Sequence, residues 1–236
     1  PPHDHLGEKI GAILPAGCEN AKVLRRLMEA ANRILEHHPL NEKLRAEGKM
    51  PANGVWFWAE GTAVKLPDFK TETGHDGVVV SAVPLCHGIA ALTGLSFVCP
   101  EGATGEKDTN YENKLAAALE ILETHDFAAV HVEAPDECTH NGDLEGKLEA
   151  IGWLDTRLIR PLDAAMRSRG WDYRLLFLSD HKTLTSTRGH DGDPVPYMLY
   201  DSRVDTKAGL PYTEKSGEKG PYIDAGIALM SILFEK

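Results

Sequence analysis

Two stretches of this chain place carboxylates and imidazoles close together in a way that suits chemistry. The first is Ser179-Asp180-His181, with His190 ten residues beyond Asp180, and the second is Asp136 with His140 four residues on. Acid oxygen and imidazole nitrogen are the donors that divalent transition metals prefer. A four-residue spacing brings Asp136 and His140 onto one face if the chain turns helically there. Any one of these residues alone would read as a helix cap or a surface ion pair. Their recurrence in two clusters points to metal ligation. Cys138 lies between Asp136 and His140 and is the alternative thiolate ligand, although Asp and His already fill the pattern.

Each cluster follows an apolar run of strand length, Phe127–Val132 before the first and Tyr173–Leu178 before the second. The loops that follow buried strands are where α/β sheets keep their chemistry. The remaining pattern alternates in the same way. Strands are expected at Val55–Trp58, Val78–Val83, Leu95–Cys99 and Val195–Tyr200, and an edge strand within Ile10–Leu14. Helices are expected from Ala21 to Leu35, over 84–94 with Gly94 as the stop, from an N-cap at Asp108 or Thr109 through Leu122, over 144–169, and over Ala225–Phe234. Pro39 ends or bends the first helix, and Asn41–Glu47 forms a further turn. Trp56 and Trp58 share one face and are expected in the core. Apolar strands alternating with helices predict an α/β fold with a mostly parallel sheet covered on both faces.

With 236 residues the chain can bury a full core, and a net charge of −11 argues against a nucleic-acid partner held by a basic surface. No apolar run reaches the roughly 20 residues of a membrane span, so no membrane is expected. Cys18, Cys86, Cys99 and Cys138 lack CxxC spacing and read as reduced thiols of a cytoplasmic protein. The Gly102–Gly105 loop lacks the Gly-Lys-Ser/Thr element of a P-loop and reads as a turn. The sequence leaves the oligomeric state open.

The segments His131-Val132-Glu133-Ala134-Pro135-Asp136-Glu137, His140-Asn141-Gly142-Asp143, Asp180-His181 and His190 through Asp193-Pro194-Val195-Pro196 resemble the archaeal-type cofactor-independent phosphoglycerate mutases. Those enzymes belong to the alkaline-phosphatase-like metalloenzymes. The likeness extends to Ala52–Trp58 and to Gly102-Ala103-Thr104-Gly105 with Asp108-Thr109-Asn110-Tyr111, nearly the whole chain. It implies a three-layer alkaline-phosphatase-like domain over 53–236 and, over 1–52, the helical returning part of an inserted substrate domain. It also implies two divalent metal ions, manganese or zinc. Asp136, His140 and His190 match the ligands of one, and Asp180 with His181 part of the set for the other. The implied reaction interconverts 3-phosphoglycerate and 2-phosphoglycerate through a phosphoserine, and phosphoglycerate is the expected small-molecule partner. Arg45, Asn41, His3, Asp4 and His87 are the expected substrate contacts, His87 standing where a lysine would be usual. The resemblance places the nucleophilic serine upstream of Pro1, so no catalytic nucleophile is expected in this chain and it is expected to be inactive alone. A metal-dependent phosphatase, phosphodiesterase or sulfatase of the same superfamily, and a non-catalytic metal-binding module, are the alternatives.

Overall fold

The structure is a computed structural model, and it describes residue 5, residues 7–59, 61–204 and 209–234. The chain divides into two compact units, Pro1–Val64 and Lys65–Lys236, later than the expected boundary at 52/53. No helix among the described residues is long and apolar enough to cross a membrane.

The first unit is helical. The expected edge strand near Ile10 is instead a 3-10 turn, Ile10–Ala12. Helix α1, Glu19–Glu36, buries Ala21 and Met28, while the apolar Val23, Leu27 and Ile34 remain exposed. Pro39 begins the next helix, α2 (Pro39–Ala46), because its fixed φ suits a first turn and its missing N–H costs nothing there. The His38 imidazole caps that helix by accepting from the Leu40 amide at 3.2 Å. Asn41, almost fully buried, donates to the carbonyls of Leu35 and Ala52 at 2.8 and 2.6 Å and accepts from the Ala52 amide at 3.0 Å. One amide donor bond therefore ties α2 back to α1 and the other fastens it to the chain that follows. The expected strand at Val55–Trp58 is a correction: it forms no ladder, and Val55, Phe57 and Trp58 are exposed instead of packed in a core. An apolar aromatic run becomes a strand only where a neighbour pairs its backbone.

The second unit holds the sheet. Strands β1 (Gly77–Val80), β2 (Ser96–Val98) and β3 (Phe127–Val130) form a parallel sheet in the order β2-β1-β3. Val80 pairs with Val98 on one side and with Val130 on the other. Parallel strands need crossovers, and helices supply them. Helix α3 (Phe69–Thr73), which the sequence did not suggest, precedes β1, α4 (Pro84–Thr93) joins β1 to β2, and α5 (Tyr111–Ile121) joins β2 to β3. Gly94 ends α4 in the left-handed region at φ 75°, as expected. Asn110, one residue beyond the expected N-cap, caps α5 by accepting from the Asn113 amide at 2.9 Å. Val78, Val80 and Ile121 form the centre of the core, and each such side chain contributes about 1.5–3 kcal/mol on burial.

Beyond β3 come α6 (Ala134–His140), α7 (Leu144–Trp153), a π-helical segment (Leu154–Ile159) and α8 (Arg160–Ser168). The single helix expected over 144–169 is thus widened in its middle. There Arg157 makes a two-pronged pair with Glu112 at 2.7 and 2.6 Å and lies over the rings of Tyr111 and Trp153. Strand β4 (Arg174–Leu178) pairs antiparallel with β7 (Tyr197–Asp201) in a separate two-stranded sheet. Between them lies a hairpin of β5 (Lys182–Leu184) and β6 (Gly189–Asp191), where the sequence suggested only loop. Short helices α9 (Glu214–Gly217) and α10 (Ala228–Phe234) complete the unit.

Two outcomes follow from this packing. Asn41→Ala is expected to lower the unfolding free energy in urea by about 2 kcal/mol, because it strands buried backbone groups, whereas Arg45→Ala, which removes one exposed bond to the Glu36 carbonyl, should change it by about 0.5 kcal/mol or less. The Tyr111 hydroxyl is buried without a partner among the described residues, and burial pushes the phenol up to about 12. Because the folded value lies above the unfolded one, the stability linked to this proton is complete below the ordinary phenol range and is lost as pH rises toward 12. Tyr111→Phe should therefore match or exceed the parent at neutral pH and gain on it above about pH 10, as read by urea melts with tyrosinate absorbance at 295 nm.

Candidate metal centre

The loop after β3 turns at once into α6. Pro135 sits in its first turn, and Gly142, at φ 73°, ends it. That single short helix puts Asp136 and His140 on one face, as their spacing suggested. Asp136 Oδ2 lies 3.2 Å from His140 Nε2. Asp143 then caps α7 by accepting from the Gly146 amide at 2.8 Å, and Lys147 of α7 donates to the Thr183 carbonyl at 2.8 Å. The helix pair that carries the first cluster is thereby tied to the hairpin that carries the second.

The hairpin supplies the third side chain. His190 in β6 stands directly opposite Thr183 in β5, and residues so paired project from the same face. His190 Nε2 is 3.3 Å from Asp136 Oδ1 and 3.0 Å from His140 Nε2. One donor atom from each of Asp136, His140 and His190 falls within 4.8 Å of the others. The structure thus brings together three of the five residues singled out as ligands.

Hydrogen bonding fixes which nitrogens face inward. His140 Nδ1 lies 2.7 Å from the Arg188 carbonyl, an acceptor only, so Nδ1 is the donor there and Nε2 is the nitrogen turned toward Asp136 and His190. Arg188 reaches this position from the hairpin turn, with φ at 56°, and its guanidinium covers Gly142 so closely that a Cβ there would sit 2.4 Å from Arg188 Cζ. Gly142 is needed for its backbone and for this contact together. Two imidazole nitrogens and a carboxylate oxygen share one space, an arrangement a divalent cation satisfies.

Asp180 and His181 lie beside this group. The His181 ring stacks against that of His190 with centroids 3.9 Å apart, and its Nε2 is 3.3 Å from Asp180 Oδ2. Asp180 is largely exposed and turns its other oxygen to the His181 amide at 3.1 Å. His181 Nδ1 faces the Lys182 carbonyl at 3.2 Å, so Nδ1 is the donor there and Nε2 is the nitrogen turned toward the carboxylate.

The remaining candidates have the following surroundings where they are described. His87 on α4 stacks on Phe97 with ring centroids 4.3 Å apart. Arg45 is an exposed residue of α2, and His3 and Asp4 lie outside the described residues. Cys138 is buried, and burial pushes its thiol up, away from a ligating thiolate. Ser81 is fully buried at the end of β1, where its hydroxyl accepts from the Val83 amide and meets His131 Nδ1 at 3.1 Å. His131, whose pKa burial and then Lys114 depress, pins β1 to β3 and is not a ligand.

Several participants escaped the sequence reading. Thr183 donates its hydroxyl to Asp136 Oδ1. The fully buried Lys114 donates to the His131 carbonyl at 2.9 Å, bracing the loop ahead of α6, and burial depresses its pKa. Glu133, at the head of α6, has its pKa raised by burial and then by Glu137 and Asp136. The polar Lys-Thr-Leu-Thr-Ser-Thr-Arg-Gly segment carries no apolar alternation that would mark the hairpin.

The chain is similar to known proteins along most of its length. The chain is 42% identical over 238 residues to a probable 2,3-bisphosphoglycerate-independent phosphoglycerate mutase of Geobacter sulfurreducens, covering all of this chain and 59% of that protein. It is 44% identical over 200 residues to the 2,3-bisphosphoglycerate-independent phosphoglycerate mutase of Methanosarcina mazei, covering 85% of this chain and 50% of that one. The chain thus spans a little over half the length of these relatives. Its fold matches a protein of Pyrococcus horikoshii with a TM-score of 0.68 at 29% identity, over 95% of this chain and 60% of that structure. The cofactor-independent phosphoglycerate mutase of Thermoplasma acidophilum, at 23% identity and a TM-score of 0.51, shares the fold over 93% of this chain and 52% of its own. The profile of the Metalloenzyme superfamily matches residues 15–235, so this chain is a member of the Metalloenzyme superfamily.

Proposed function

We propose that this chain carries the metal centre of a 2,3-bisphosphoglycerate-independent phosphoglycerate mutase, an isomerase that moves a phosphoryl group between the 2- and 3-hydroxyls of glycerate through a phosphoserine. The observation that carries the reading is the meeting of Asp136 and His140 from α6 with His190 from β6, in a chain resembling named mutases along its whole length. Divalent metal is what the superfamily implies. We assign two ions, manganese or zinc, one to Asp136, His140 and His190 and the other to Asp180 and His181 with further ligands. Bound there, the metals neutralise charge on the phosphoryl group and on the attacking and leaving oxygens.

The protein's own side chains set up that chemistry. The Arg188 carbonyl holds His140 with Nε2 turned inward, and the Thr183 hydroxyl fixes the rotation of the Asp136 carboxylate. Arg45 offers a planar fork matched to a carboxylate or phosphate. His3, Asp4, Asn41 and His87 complete the proposed substrate contacts, Asn41 acting by holding the helix that bears Arg45. Ser81 is buried and committed to structural bonds, so the nucleophile is not placed there. The reading puts the protein in the glycolytic and gluconeogenic step that exchanges the two phosphoglycerates.

In elemental analysis after dialysis, Asp136→Ala and His190→Ala are expected to carry less bound metal than the parent, and unchanged stoichiometry would remove them from the ligand set. The protein that carries this chain, loaded with manganese, should convert 3-phosphoglycerate into 2-phosphoglycerate in an enolase-coupled assay, with the rate falling at least about a hundredfold in Asp136→Ala. Release of inorganic phosphate with no 2-phosphoglycerate would identify a phosphatase instead.

A further inference from the structure

Thr183 touches both clusters through one hydroxyl. Its Oγ1 donates to Asp136 Oδ1, and it lies 3.4 Å from His181 Nδ1. A hydroxyl has one proton and two lone pairs. The proton is committed to the carboxylate, which only accepts, so Oγ1 meets His181 as an acceptor and requires the hydrogen on Nδ1. The Lys182 carbonyl, 3.2 Å from the same nitrogen, makes the same demand independently. The result is a directed chain, His181 Nδ1–H to Thr183 Oγ1–H to Asp136 Oδ1. It turns His181 Nε2 toward Asp180 Oδ2 and fixes one oxygen of Asp136, so that the other, Oδ2, turns toward His140.

The hairpin makes this position rigid. Thr183 is paired across the strands with His190, and its own carbonyl is held by Lys147 Nζ at 2.8 Å. A β-branched residue suits a strand and has few side-chain rotamers, which keeps the hydroxyl aimed. Thr183 therefore stands in contact with Asp136 and His181 and beside His190 without itself carrying a ligand atom of the usual kind.

Resting on the metal-centre reading above, we propose that Thr183 is a positioning residue that joins the two metal clusters, setting the rotation of Asp136 and the tautomer of His181 through one hydroxyl. Groups that orient metal ligands typically change affinity by about 10- to 100-fold when removed. The test is a cobalt(II) titration of the whole chain followed by its visible absorption, with Thr183→Val, which keeps shape and strand preference, and Thr183→Ser, which keeps the hydroxyl. Thr183→Val is expected to weaken cobalt binding by about tenfold or more and to shift the visible band, while Thr183→Ser restores both. A Val variant with the parent's affinity and band, even with a lowered melting temperature, would reduce Thr183 to a packing role and overturn the proposal while leaving the centre intact. A parent chain that binds no cobalt would overturn the metal-centre reading and this proposal with it. Nitrogen-15 NMR of the parent's imidazoles gives a check that needs no variant: His181 should be protonated at Nδ1, and a bare Nδ1 would break the chain of hydrogen bonds.

Discussion

The tie between helix α6 and the β5–β6 hairpin is the interaction on which the candidate site depends. Asp136 and His140 reach one another through helical spacing alone, but a pair of ligands is a poor cation site. His190 completes it, because the hairpin is clamped to the helix by the Thr183 hydroxyl on Asp136, the Arg188 carbonyl on His140 and the Lys147 ammonium on the Thr183 carbonyl. Each of these bonds is made by an atom that is not itself a proposed ligand. The geometry is therefore held by the protein's own hydrogen bonds, which is how a preorganised metal site avoids having to order its ligands at the moment of binding.

The parallel sheet and its helices serve this clamp from behind. Burial of Val78 and Val80 against Ile121 fixes β1 and α5, and the ladder from β1 to β3 fixes where the chain leaves toward Asp136. Lys114 then holds the His131 carbonyl at the point of departure. A buried lysine with only carbonyl partners in view is costly to ionise, yet it stands near Glu133, whose negative charge offsets part of that cost. The local charge of the site is thus spread over a wider set of side chains than its proposed ligands.

Much of the fold was legible in the chain. Apolar runs of strand length gave β1, β3 and β4, Gly94 gave the end of α4, and helices occur within the expected 84–94 and 144–169 ranges. The misreadings share a cause. Val55–Trp58 has the composition of a strand but joins no ladder among the described residues, and the hairpin has neighbours but no strand-like composition. Strand formation is decided between segments, and a single segment does not carry that information.

The sequence by itself determined the donor types, the four-residue spacing of Asp136 and His140 and the strand that leads into each cluster, because these depend on side-chain chemistry and local backbone periodicity. Only the tertiary structure decided that His190, fifty residues from His140, shares their space, that the Arg188 carbonyl and Thr183 hydroxyl orient the ligands, and that Cys138 and Ser81 are buried away from the chemistry. Those facts arise from the pairing of β5 with β6 and its docking on α6. Hydrogen bonds between residues distant along the chain leave no periodic signature in it.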